Sequence, residues 1–584
     1  MLVAGVLALL LLLPVAEALA RALFDRGIPG SGPFVQHLTL WVAFLGAALA
    51  AREGKLLAMA SGEFLRGGWR RAASLFAAAV AAAASVMLAV ASWQMVAIDR
   101  EVGSELAAGV PVWVAQLVMP VAFGLIALHL VWTVDESWKG RLVAASGLVV
   151  GALLVLRPEW LDGQPGVVGV AVLILAALAG APIFAVLGGA AVYLFMVSGV
   201  PAAAVPAETY RLSVSQTLPA IPLFTLTGFL LAQGKSSQRL LSFFRAFFGW
   251  LPGGTAVVAT VLCAFFTVFT GGSGVTILAL GALLFQALKA DRYSERFSLG
   301  LLTASGSLGL LFPPALPLIL YGIVARVPIR DLFVGGLIPG VLLVSLMAAW
   351  AVRHGLKGAV ERRPFDWRQA RSAAWQAKWE LLLPVLAVTA IFGGFATLVE
   401  AAAFTAFYAL SIVTVLHREL GPRELLATFT ECAVLLGGVL IILAVAMGLT
   451  GYLVDAQIPA QILDWAEQHI ESPLVFLLAL NVFLLLVGCL MDIFSAIVVV
   501  VPLIVPLGAA FGIDPIHLGI IFVANLELGY LTPPVGLNLF LAAYRFERPL
   551  LTVWRAALVP LVILAIGVLL ITYFPPMTLG LLGR

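Results

Sequence analysis

Apolar runs of about 20 residues, each closed by a short polar break, recur from residue 2 to residue 574. One membrane crossing by an α-helix needs about that length, so the pattern predicts an all-α polytopic membrane protein with roughly fifteen membrane segments. Four helices are predicted over 1–23, 35–51, 72–97 and 110–133, and a fifth over 142–156. Ala18-Leu19-Ala20 looks like a small-residue cleavage site, yet no positive region precedes the apolar stretch, so the first helix is expected to be retained. Beyond the polar stretch 157–165 the runs become longer, richer in Gly and Pro, and repeatedly interrupted. The expected organisation is therefore a four-helix block over 1–135, a connecting helix and linker over 136–164, and a large block over 165–584.

The loops orient this path, because short cytoplasmic loops carry an excess of Lys and Arg. Arg52, Lys55, Arg66, Arg70 and Arg71 place the first long loop inside, while Asp99, Arg100, Glu101 and Glu105 suit the outside. The N-terminus is then cytoplasmic. The loop over 353–378, with seven Lys and Arg, falls inside, and the loop over 455–471, with none, falls outside. On this path 167–178, 181–199 and 219–234 cross singly. The runs around 255–289 and 472–512 return to the side they entered from, as re-entrant hairpins or as ordinary helix pairs.

Composition narrows the class. The 584 residues are 62% hydrophobic and 11% charged, with a mean hydropathy of +1.10, which excludes a soluble globular protein. The formal net charge of +3 is spread over short loops, so nucleic acid is not an expected partner. Cys263, Cys432 and Cys489 lie in apolar runs without metal-ligand spacing, so disulfides and structural zinc are not expected. Between Gly228 and Gly234, ahead of Lys235-Ser236, stand five residues where a phosphate-binding loop needs four, so no ATP role is assigned. No nucleophile–base pair points to an enzyme.

The large block contains one pattern twice. Leu308-Gly309-Leu310-Leu311-Phe312-Pro313-Pro314 recurs as Leu528-Gly529-Tyr530-Leu531-Thr532-Pro533-Pro534, and the pair Pro328/Pro339 recurs with identical spacing as Pro549/Pro560. Upstream of each Pro-Pro an apolar run is broken, at Thr270-Gly271-Gly272-Ser273-Gly274 and at Met491-Asp492-Ile493-Phe494-Ser495. The two breaks enter from opposite sides on the path above. Inverted repeats with interrupted helices are the architecture of secondary transporters. Kinking or close helix packing is the plainer reading of any one such cluster, but two at matching offsets favour a site.

Irregular backbone at membrane depth must be buried in protein or line a wet cavity. Pro-Pro removes two amide donors. Carbonyls freed at Gly309, Leu311, Gly529 and Leu531, with the hydroxyls of Thr270, Ser273 and Thr532, suit a hard cation such as sodium, and exposed helix N-termini suit a carboxylate. Charged residues inside apolar runs add a second signal, each costing about 3 kcal/mol at mid-membrane. Asp492, at a hairpin tip, and Glu527, near the second Pro-Pro, suit a cation-site or proton-linked role, whereas Glu400 suits a helix-capping or solvated one. Asn525 and Asn538 flank the second break as substrate ligands or as interhelical glue.

These residues resemble a known family. Leu218 to Phe224, Leu251-Pro252-Gly253-Gly254, Thr270 to Gly274, Leu311 to Pro314, Leu332-Phe333 with Ile338-Pro339-Gly340, and Gly529 to Pro534 resemble the large permease subunit of TRAP (tripartite ATP-independent periplasmic) transporters. Leu45 to Gly54, within the four-helix block, is similar to the small subunit, so the chain looks like the fused form of both. The resemblance implies a sodium-coupled importer in the bacterial inner membrane, with no ATPase, that accepts an organic anion such as a dicarboxylate from a periplasmic substrate-binding protein. It also implies an elevator-like motion of the repeat-built domain, with the small block as scaffold. By position, Thr270, Gly271 and Ser273 fall in the family's sodium and substrate region, and Pro313, Pro314, Thr532, Pro533 and Pro534 in its helix breaks. Gly272 stands where a second Ser is usual, and Phe229 where an acid often follows the Gly, which points to backbone carbonyls at one sodium site. A proton-coupled or exchanging transporter of related architecture and a non-transporting membrane scaffold are the alternatives.

Overall fold

Every backbone polar group inside a bilayer needs an internal partner, and an α-helix provides one within its own segment. The computed structural model describes residues 1–58, 68–161, 164–357, 364–470, 472–533 and 536–583 and is helical almost throughout. Among these residues, 12 helices are long and apolar enough to cross a membrane. The strands Glu105–Ala107 and Val110–Pro111 form one small hairpin. Two compact units are present: Met1–Pro222 with Leu426–Gln461, and Leu223–Leu425 with Ile462–Arg584.

The first unit opens with helices Leu2–Phe24, Ser31–Arg52, Gly68–Val102, Val112–Thr133 and Trp138–Leu156, at the positions hydropathy predicts. Gly68–Val102 is longer than its apolar run because the charged residues at both ends continue the helix. Small residues set the crossings. A Cβ on Gly147 or Gly151 would strike the backbone of Ala79 or Ala83, so the helix Trp138–Leu156 lies directly against Gly68–Val102. A Cβ on Gly46 would meet the Ala433 carbonyl, and one on Gly437 the Ala47 amide. Helices Ser31–Arg52 and Pro422–Asp455 therefore touch backbone to backbone, the packing that small residues permit where lipid removes the hydrophobic drive between helices. Thr209 Oγ1 donates to the Ala444 carbonyl at 3.0 Å, and His37 Nε2 lies 2.7 Å from the Tyr210 hydroxyl. The compact units thus divide the chain differently from the sequence boundary at 165, since residues 166–222 and 426–461 group with the preceding helices.

The second unit is built twice over. The first copy runs Gly254–Thr270, Ser273–Ala290, Glu295–Ser305, Leu316–Ala325 and Ile329–Lys357. The second runs Pro473–Leu490, Ile493–Ala510, Pro515–Gly529, Leu537–Phe546 and Leu550–Tyr573. Each copy is a helix pair, a broken helix and a long closing helix. The copies exchange contacts symmetrically. Ser273–Ala290 packs on Leu537–Phe546 as Ile493–Ala510 packs on Leu316–Ala325. Glu295–Ser305 packs on Leu550–Tyr573 as Pro515–Gly529 packs on Ile329–Lys357. Asn538 Nδ2 donates to the Thr303 carbonyl at 3.1 Å, and the Tyr321 hydroxyl donates to the Pro515 carbonyl at 2.9 Å, so each copy is hydrogen-bonded to the other.

Beside the repeats stand Ser236–Phe248, Trp367–Phe392 and Leu398–Ser411. Glu400 and Thr397 form a capping box at the start of the last, with Glu400 Oε2 accepting from the Thr397 amide at 2.8 Å, which is the capping role its place in the chain suggests. Arg239 joins the buried Glu380 at 2.5 Å and also pairs with Glu419. Burial acts to raise the Glu419 carboxyl, but hydrogen bonds from Arg239 and from the Lys235 amide outweigh it and hold the group below the usual glutamate range.

Two outcomes are expected in detergent. Gly437→Leu should destabilise the protein by about 1–3 kcal/mol through overpacking, read as a lower melting temperature, while Gly124→Leu, with open space around its Cβ position, should leave it unchanged. A depressed carboxylate contributes its full stability above the unfolded value and loses it as the pH falls through the folded one. Acidification below about pH 4 should therefore lower the melting temperature of the natural protein more than that of Glu419→Gln.

Candidate functional site

Each copy of the repeat presses the tip of its helix pair against its own broken helix. In the first copy Gly254–Thr270 ends at Gly271 in a left-handed conformation, φ 66°, followed by extended Gly272 and the N-terminus at Ser273. Gly271 needs that freedom, and a Cβ there would also run into Leu316. Thr267 Oγ1 donates to the Gly306 carbonyl at 2.7 Å and meets Thr276 Oγ1 at 2.8 Å, while Thr270 Oγ1 is 3.1 Å from Thr276 Oγ1. A Cβ on Gly309 would collide with the Ala264 carbonyl and the Thr267 side chain, so the glycine lets the break close on the tip. Thr270, Gly271, Ser273 and Gly309 are thereby brought into one neighbourhood. Pro313 and Pro314 are buried in the same break, joined by a cis peptide.

The second copy repeats the arrangement with different atoms. Asp492 caps Ile493–Ala510, its carboxylate accepting from the Phe494 and Ser495 amides at 3.0 and 3.2 Å and from Ser495 Oγ at 2.5 Å. The Tyr530 hydroxyl accepts from the Ile493 amide at 2.7 Å, and the Gly536 amide donates to the Cys489 carbonyl at 3.1 Å. Gly488 and Gly529 stand back to back, where a Cβ on Gly529 would collide with the facing backbone. Thr532 is half-buried, its hydroxyl donating to the Leu528 carbonyl at 3.0 Å. Pro533 is exposed, and Pro534 lies outside the described residues.

One expectation changes here, and one pair of alternatives acquires a partner. The Gly309 and Gly529 carbonyls are not freed by the breaks: each accepts a turn hydrogen bond, from the Phe312 amide at 3.2 Å and the Thr532 amide at 3.0 Å. Asn525 acts as interhelical glue, donating to Asn481 Oδ1 at 2.7 Å, an oxygen that also accepts from Thr572 Oγ1 at 3.1 Å. Sequence reasoning missed Thr267, Thr276, Tyr530 and Asn481. Thr267 carried a signal, one helical turn before Thr270 on the same face.

The remaining buried oxygens define the chemistry. Ser273 Oγ, Asn538 Oδ1 and both carboxylate oxygens of Glu527 are buried without a hydrogen-bond partner. A buried polar group left unpaired costs about 1–3 kcal/mol, and oxygen-only groups suit a hard cation or a hydrogen-bond donor. Ser273 and Asn538 come from opposite copies at neighbouring elements, since a Cβ on Gly274 would touch Leu541.

Residues 167–577 match the family model for the DctM component of tripartite ATP-independent periplasmic transporters, and residues 10–140 match that for the DctQ component. A protein of Oleidesulfovibrio alaskensis named isethionate TRAP transporter permease protein DctMQ is 33% identical over 478 residues, covering 80% of this chain and 74% of its own length. The C4-dicarboxylate TRAP transporter large permease protein DctM of Pseudomonas aeruginosa is 33% identical over 395 residues, covering 68% of this chain and 92% of its own. The sialic acid TRAP transporter large permease protein SiaM of Vibrio cholerae is 32% identical over 367 residues, covering 62% and 85%.

Thr267→Val, which removes the hydroxyl bridging tip and break, should cost about 1–3 kcal/mol. Asp492→Ala should cost about 0.5–2 kcal/mol through the lost cap. Both are read as melting-temperature shifts of the purified protein, and a Thr267→Val protein as stable as the natural one would contradict the bridge.

Proposed function

This chain belongs to the tripartite ATP-independent periplasmic transporter family, with the DctQ and DctM membrane components in one polypeptide, and from that premise we propose that it imports an organic acid by coupling to sodium. The observation that carries the reading is the doubled site. Each helix-pair tip is closed on its own interrupted helix, and unpartnered oxygens at Ser273, Asn538 and Glu527 remain buried in the same unit. Thr270, Ser273 and Thr532 are the proposed sodium ligands. The residues about the two breaks are the proposed substrate contacts.

Relatives named for isethionate, C4-dicarboxylate and sialic acid transport support a small organic anion as cargo. A periplasmic substrate-binding protein is the proposed donor. The reciprocal contacts between the two copies support movement of the second unit as one body in an elevator-type cycle, with the small-subunit part as scaffold. The protein would sit in the bacterial inner membrane with its N-terminus in the cytoplasm.

The test is uptake into proteoliposomes holding the full chain, with the binding protein supplied outside and loaded with candidate organic acids. An inward sodium gradient should drive accumulation that requires the binding protein, and an equal potassium gradient should not. Accumulation under a pH gradient alone would assign the coupling to protons, and Ser273→Ala should lower the sodium-driven rate by at least tenfold, on the order of one lost ion ligand.

A further inference from the structure

Helix Ser236–Phe248 is strongly two-faced. Leu240, Leu241 and Phe244 are buried, Arg239, Ser242 and Arg245 form the polar side, and Phe243 meets Phe247 in a tilted contact with ring centroids 4.6 Å apart. It runs antiparallel to the first half of Trp367–Phe392. The Arg239–Glu380 pair marks one end of that contact. At the other end Ser242 and Arg245 face Gln369, Ser372 and Gln376 across a cavity of about 360 Å³. A second hollow adjoins it, lined by Arg368, Arg371, Ser372 and Trp375. Arg245 has a distant partner, Asp291 at 3.6 Å, but among the described residues no acidic side chain pairs with Arg368 or Arg371.

The aromatic residues set the level of this groove. Trp367 and Trp375 are 65% and 71% exposed, Trp250 is 49% exposed, and the Lys378 ammonium lies 3.2 Å from the centroid of the Trp375 ring. Tryptophans of this kind gather at the membrane–water boundary. A short amphipathic helix with arginines on its polar side lies in that plane, its apolar side turned into the acyl region. Unpaired guanidinium groups at headgroup depth, with hydroxyl and amide donors beside them, match the planar oxygen pairs of a phosphodiester.

We propose that the two adjoining hollows at the start of Trp367–Phe392 bind the headgroup of an anionic phospholipid, with Arg368 and Arg371 holding its phosphate on the outer face of that helix. The rest of the headgroup reaches past Ser372, the residue the hollows share, into the cavity lined by Ser242 and Arg245. The exposed rings of Trp367 and Trp375 beside the arginines offer apolar contact to the acyl chains. This site is separate from the repeat tips and does not depend on what the protein carries.

Native mass spectrometry of the full chain, released from nanodiscs of mixed phosphatidylglycerol and phosphatidylcholine, tests the proposal. The natural protein should retain phosphatidylglycerol over phosphatidylcholine by roughly thirtyfold, the preference expected of two basic residues at an anionic surface. Arg368→Gln with Arg371→Gln should lose most of that preference while keeping its melting temperature in lipid-free detergent, and Arg371→Lys, which keeps the charge without the planar fork, should fall between the natural protein and Arg371→Gln. Equal retention of the two lipids by the natural protein, or an unchanged preference in the double Gln variant, overturns the proposal. So does displacement of the lipid by an equal concentration of inorganic phosphate, which would mark a simple anion site. If the double Gln variant does not fold, Arg371→Gln alone should still reduce the preference severalfold, and a single variant indistinguishable from the natural protein overturns it.

Discussion

A backbone carbonyl or amide without a partner is far costlier in a bilayer than in water, and this cost governs how the second unit is built. Among the described residues, the helices of the repeats are broken at 271–272, 306–315, 491–492 and around Tyr530 to Pro533. These breaks are covered from inside the protein. Thr267 reaches the Gly306 carbonyl, Tyr530 receives the Ile493 amide, and Gly536 donates to Cys489, so the tip of each pair and the gap in each broken helix satisfy one another. Gly309 and Gly529, at equivalent positions in the two copies, allow the approach because a Cβ at either would strike the facing tip. Interruption and closure are one device, used twice.

Once the breaks close on one another, side-chain oxygens beside them remain unsatisfied. Ser273, Asn538 and Glu527 keep unpaired buried atoms near the breaks, whereas Thr260, Thr303 and Thr405 pair their buried hydroxyls with backbone carbonyls. Such exceptions are where a ligand belongs. The exchange of helices between copies then ties this small set of atoms to a rigid frame, with Asn538 itself fastened to Thr303 of the other copy by its amide nitrogen. The arginine-lined hollow along Trp367–Phe392 lies on separate elements of the same unit.

Much of this was legible in the sequence because length and periodicity are local properties. The first five helices, the paired Pro-Pro breaks and the hinge at Thr270 to Ser273 fall where the runs of apolar residues end. What was not legible depends on partners distant in the chain. The carbonyls of Gly309 and Gly529 are taken up by turns that Pro-Pro spacing does not reveal. Asn525 reads equally as a ligand or as interhelical glue until Asn481 is brought beside it. The crossing of Gly46 with Gly437 joins residues nearly four hundred positions apart, and hydropathy cannot register it because glycine contributes by what it lacks. The charge pattern marked Arg368 and Arg371 only as loop residues, whereas the structure sets both on the first turns of Trp367–Phe392 beside Trp375.

Sodium binding at the closed breaks, with Thr270, Ser273 and Thr532 as ligands, is tested most directly by the melting temperature of the purified full chain titrated with sodium chloride against choline chloride at constant ionic strength. A ligand that binds only the folded state stabilises it in proportion to the logarithm of its concentration above Kd. A saturable rise with sodium is expected, one that choline does not produce and that Ser273→Ala largely removes. An equal rise in both salts, or a sodium response untouched by Ser273→Ala, would contradict it.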